Sequence, residues 1–162
     1  MKTILFISLA FFVGYIASVV AAFKIPPSIS ESFYLLDKQK KNLGYLFTIW
    51  CYFIGISVMG MMFELSTDKW YQFLGLFAGG GLGFVGTAPL FKSHEKTVHY
   101  VSATVCTFSS LIWMFLSGFW MIPLGLLTLA LCVSFKYSHT RVFWLEIAVF
   151  VSMYTALVHL IV

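Results

Sequence analysis

Trp70-Tyr-Gln-Phe-Leu-Gly75-Leu-Phe-Ala-Gly79-Gly80-Gly81-Leu-Gly83-Phe-Val-Gly86-Thr-Ala-Pro89-Leu-Phe91 is the stretch that decides the fold class. In water such a glycine load disfavours a helix, because each glycine costs about 1 kcal/mol relative to alanine. In lipid the balance reverses. A spanning segment finds no water for its amides there and must close its own hydrogen bonds, whatever its propensity. Glycine then serves packing: Gly75, Gly79 and Gly83 recur every four residues. A helix over 70–91 therefore carries a flat groove for a second helix, either of the same chain or of another copy.

The flanking sequence calls for the same solvent. The 162 residues are 60% apolar and 10% charged, with mean hydropathy +0.94, against roughly 25% charged residues in soluble domains. Apolar stretches near the spanning length of about 20 residues fall at about 3–23, 44–65, 70–91, 99–117, 122–135 and 142–162. They predict an all-α polytopic transmembrane bundle of about six helices in one domain. The first stretch exceeds the apolar core of a signal peptide, about 7–15 residues, and reads as an uncleaved span.

Between the first two stretches lies a polar segment, Lys24 to Leu43. Pro26-Pro27 stops the first helix, because proline has no amide donor and constrains the residue before it. Ser28-Ile-Ser-Glu31 then has capping-box spacing. Ile29, Phe33, Leu35 and Leu36 give a following turn an apolar side, with Lys38, Lys40 and Lys41 beside it. This predicts a short interfacial helix whose lysines meet lipid phosphates.

The net charge of +4 is dispersed over helix ends, which argues against a nucleic-acid partner. Lys24, Lys38, Lys40, Lys41, Lys92, Lys96, Lys136 and Arg141 fall on one side of the predicted bundle, and only Lys2 and Lys69 on the other. The positive-inside rule makes the first side cytoplasmic, in an inner membrane, with both termini outside. Cys51, Cys106 and Cys132 lie singly in apolar runs and read as packed thiols rather than a disulfide or metal set.

That topology collects the reactive side chains beneath one leaflet. Ser28, Ser30, Glu31, Tyr34, His99, Ser102, Arg141 and Glu146 are the candidates for a ligand site or pathway. Glu146 stands out as an ionisable group inside a span, which is costly unless paired; His99 and Arg141 are its expected partners. His94, His99 and His139 are the candidates for a zinc site, although no HxxxH or HExxH spacing supports one, so no cofactor is expected. Tyr52, Trp70, Trp113 and Trp144 read as belt or core aromatics, and His159 as an outer-interface residue. No GxSxG nucleophile elbow occurs.

The best-supported reading is a protein that associates with itself through Gly75, Gly79 and Gly83. Its polar cytoplasmic crevice would serve a small ligand, a lipid headgroup or a permeating species. A metal-dependent lipid hydrolase and a non-catalytic assembly or exclusion factor, binding another membrane protein, are the alternatives.

Pro27-Ser-Ile-Ser-Glu31-Ser-Phe-Tyr34, Gly83-Phe-Val-Gly-Thr-Ala-Pro89 and Val98-His99-Tyr-Val-Ser-Ala103 together resemble small uncharacterised polytopic membrane proteins of gut Bacteroidetes and their phages. That resemblance covers most of the chain and implies a bacterial membrane, with the serine-rich loop and His99 in one site. The chain is also similar, more distantly, to the ceramidase-like intramembrane hydrolases in gathering Ser and His on a small bundle. It lacks their HxxxH on the last helix and any aspartate within a span.

Overall fold

The computed structural model describes residues 1–162, apart from the side chain of Lys92. That side chain, counted above for orientation, lies outside the described residues. Each of the six apolar stretches folds as a helix, and the polar segment adds a short one, α2: α1 (Lys2–Phe23), α2 (Ser32–Gln39), α3 (Tyr45–Leu65), α4 (Leu74–Thr87), α5 (Glu95–Leu116), α6 (Met121–Lys136) and α7 (Arg141–Ile161). Five helical segments are long and apolar enough to cross a membrane, one of them α4 continued to Phe91. The protein is an all-helical membrane protein. α6 has 16 residues, and at 1.5 Å each it reaches about 24 Å, short of a hydrocarbon core of about 30 Å.

Other boundaries also differ from the sequence reading. The glycine helix begins at Leu74 rather than Trp70 and passes into a 3-10 turn, Ala88–His94. Pro89 has no N–H to continue the ladder, and Ala88 N–H turns back to Val85 O. α5 starts at Glu95, four residues before the predicted His99, because nothing in 95–99 breaks a helix and Glu95 suits the positive end of its dipole.

The chain runs back and forth along the bundle, so its two ends meet. Lys2 Nζ donates to the Val162 carbonyl at 3.5 Å. At this end the Ser8 and Tyr154 hydroxyls are 2.6 Å apart. Trp113 is fully buried, and its Nε1 donates to Ser66 Oγ at 2.5 Å. The 24–31 segment and the starts of α5 and α7 lie at the opposite end.

α4 sits between α3 and α5, while α6 rests chiefly on α7. A Cβ at Gly55 would lie 2.6 Å from Gly79 O, and one at Gly79 would collide with Gly55 O and Met59. On the same face Gly75 meets Met62, and a Cβ at Gly86 would come 2.5 Å from Cys51 Cβ. Thr48 Oγ1 donates to Gly86 O across this seam at 2.6 Å. The groove of Gly75, Gly79 and Gly83 is therefore filled by α3 of the same chain. Beside it, Trp50 stacks on Tyr15 with centroids 4.7 Å apart and lies near Phe47 and Phe150. Trp50 Nε1 is the one buried side-chain nitrogen or oxygen without a hydrogen-bond partner among the described residues.

Candidate functional site

The site is built on the strap that joins α1 to α2. α1 ends where Lys24 takes a left-handed conformation, φ 64°, and the chain then folds back under the bundle as Pro26–Glu31. Two reciprocal bonds tie it to the start of α7. Phe143 N–H, one of the amides that a helix start leaves without an intrahelical acceptor, donates to Pro27 O at 3.0 Å. Ile29 N–H donates to Glu146 Oε2 at 2.5 Å. The strap thus caps α7, and α7 holds the strap. Ile29 anchors the joint with a side chain that is 3% exposed.

Serines fix the rest of the strap. Ser28 Oγ accepts from Glu31 N–H at 3.2 Å, but this closes a turn of the strap and not the predicted capping box, because α2 begins only at Ser32, with Glu31 as its N-cap. Ser32 is fully buried; its hydroxyl donates to Ile29 O at 2.6 Å, leaving its oxygen to accept from Tyr15 OH at 2.7 Å. Tyr15, Ser32 and Ile29 therefore form one relay from α1 to the strap.

Between the strap and the first turns of α5 opens a crevice of about 310 Å³. Ser28, Ser30, Glu31 and Tyr34 line one wall, Glu95, Lys96, His99 and Tyr100 the other, over a floor of Phe47, Val85 and Ala88. Ser30 Oγ and His99 Nε2 face each other at 3.4 Å, too long for a strong bond. Side by side, the two can bind one ligand group together. Carboxylates, an ammonium, an imidazole and four hydroxyls share this space, so the crevice can answer both a cationic and an anionic group on one molecule.

Beneath it lies a second, smaller cavity of about 80 Å³, lined by Glu146, Cys106, Thr107 and Ser110 among apolar side chains. Val85 borders both spaces, and the bond from Ile29 to Glu146 ties the strap to this inner cavity. Glu146 accordingly lines the inner cavity rather than the crevice. Its partner is a backbone amide, not His99 or Arg141.

Of the remaining candidates, Arg141 is exposed at the start of α7 and lines neither space. Ser102 is buried on α5, with its carbonyl against Gly81 of α4. Both are therefore removed from the site. His94 and His139 are exposed, and no group of three His, Cys, Asp or Glu side chains among the described residues could hold a metal ion. The three-histidine zinc arrangement is not formed. Lys96 and Tyr100, absent from the sequence candidates, belong to the crevice because they repeat at i, i+4 beside Glu95 and His99. Comparison with protein-family models, curated proteins and solved structures finds no match for this chain.

Proposed function

We propose that this chain is a polytopic protein of a bacterial inner membrane that binds a small zwitterion in the crevice between the strap and α5. The ligand carries an amine and a phosphate or carboxylate, either as a free solute or as a lipid headgroup. One observation carries the reading: Glu31 and Glu95 share a space with Lys96, His99, Ser28 and Ser30, and its volume of about 310 Å³ is at the lower end of ligand pockets. Six crossings, with α2 at the cytoplasmic surface and both termini outside, complete the proposal. The meeting of Lys2 with Val162 and the bias of Lys and Arg toward the strap end support it.

In this reading the strap is the movable wall. The inner cavity of about 80 Å³ is too small for a pore within one copy, so permeation would require an oligomer. Contacts between copies would then use faces other than Gly75, Gly79 and Gly83, which α3 already occupies.

The test is a thermal-shift titration of the purified protein in nanodiscs with phosphoethanolamine, against inorganic phosphate and ethanolamine alone. Saturable stabilisation by the zwitterion only, lost in His99→Ala and kept in Arg141→Ala, is the expected result. Nanodiscs of phosphatidylethanolamine against phosphatidylglycerol separate headgroup from solute: a headgroup ligand leaves the first pre-stabilised and unresponsive. No response in either lipid, together with no difference between them, overturns the proposal.

A further inference from the structure

On the other flank of the strap, α1, α2 and α3 enclose a groove of about 540 Å³. We propose that it holds an acyl chain of one anionic phospholipid, whose headgroup lies on the lysines of the α1–α2 segment and the end of α2. The inference rests on the membrane reading of the chain and is independent of the crevice and its ligand.

The groove is opened by small residues of α1, set among its larger ones, across from large residues of α3. Gly14 and Ser18 of α1 face Ile49 and Trp50 of α3, and Leu36 of α2 closes one end. A Cβ built at Gly14 would meet nothing within 4 Å, so no segment of this chain fills the space. Its exposed polar atoms already have partners: Ser18 Oγ donates to Gly14 O at 2.7 Å, and Tyr15 OH is engaged with Ser32; Trp50 Nε1, which has no partner, is buried away from the groove. Such a lining offers a polar solute nothing to bond and suits hydrocarbon.

The charge at one end selects the lipid. Phe23 and Leu36 both line the groove; Lys24 follows the first, and Lys38, Lys40 and Lys41 follow the second, all of them exposed. The acid among them, Asp37, accepts from Asn42 N–H at 2.7 Å, and Glu31 is turned to the crevice. A cationic rim over a hydrocarbon slot complements an anionic headgroup carrying its own tail. A docked helix would instead bring apolar surface against these lysines.

Native mass spectrometry of the full chain, with phosphatidylglycerol and phosphatidylcholine of identical tails, tests this directly. One phosphatidylglycerol per chain should persist after the others are stripped, and phosphatidylcholine should not. Gly14→Leu, which fills the open slot, should weaken retention about tenfold or more. Lys38→Gln/Lys40→Gln/Lys41→Gln should do so as well, since several lysines near an anionic surface together exceed a factor of ten. Ser18→Leu serves as the slot-filling variant if Gly14→Leu lowers the melting temperature. Equal retention of the two lipids, or retention unchanged when a folded variant fills the slot, means an annular lipid only and overturns the proposal.

Discussion

Two joints of the molecule, α3 with α4 and the strap with α7, are held together in opposite ways. α3 packs on α4 backbone to backbone, with Gly55 and Gly79 so close that neither position has room for a methyl group. The strap is held to α7 by a few hydrogen bonds at the rim of two cavities. Dispersion between close-packed helices is spread over many atoms and leaves no single point of release. Hydrogen bonds at a cavity edge can be exchanged one at a time for water or a ligand. The first arrangement makes a scaffold, and the second makes a part that can move.

The sharpest way to break this contrast is Gly79→Leu. Its side chain has no path out between Gly55 and Met59, so the cost exceeds the roughly 1–3 kcal/mol of ordinary overpacking. Folded, monodisperse protein should be lost on fluorescence-detected size exclusion. Gly80→Ala, where an added Cβ meets nothing, should elute as the parent does. Equal behaviour of the two would mean that α3 and α4 are not in backbone contact.

A smaller effect is expected at the strap. Glu146→Ala removes the acceptor of Ile29 N–H and should lower stability by about 1–3 kcal/mol, the cost of an unpaired buried amide. Hydrogen exchange at Ile29 and Phe143 should accelerate while α4 amides stay protected. Glu146→Gln keeps a neutral acceptor and should fall between parent and alanine. Uniform acceleration over the whole chain would erase the distinction between scaffold and strap.

Smallest of all should be Trp50→Phe. Trp50 Nε1 bonds to nothing, so phenylalanine keeps most of the stack with Tyr15 and leaves no hydrogen bond behind. A change under about 1 kcal/mol in thermal unfolding is expected; a larger loss would show that the indole does more than pack.

These differences also explain what could be read from residue types alone. The spacing of Gly75, Gly79 and Gly83 announces a close helix contact, since only side-chain size is needed to see it. That Gly55 and Met59 of the same chain fill the groove depends on tertiary placement. The serines of the 28–32 segment and His99 could be picked out because their polarity is conspicuous beside apolar runs. The partner of Glu146 could not, because a peptide N–H is present at almost every position and carries no signature. Arg141 and Ser102 were misplaced for a related reason: nearness in sequence to a helix start says nothing about which face a residue occupies. α6 is legible as apolar, but its 16 residues leave its span undecided by composition.

The joint between the strap and α7 has one further consequence. Three of the four groups in it, the Ile29 and Phe143 amides and the Pro27 carbonyl, belong to the main chain, and main-chain groups survive almost every substitution. An alanine scan through positions 27–29 would register the loss of the buried Ile29 side chain and leave both main-chain donors of the joint in place. Only imino acids at 29 or 143, which lack the N–H, would erase it from that side, so a scan of side chains reads the packing around the fastening and not the fastening itself.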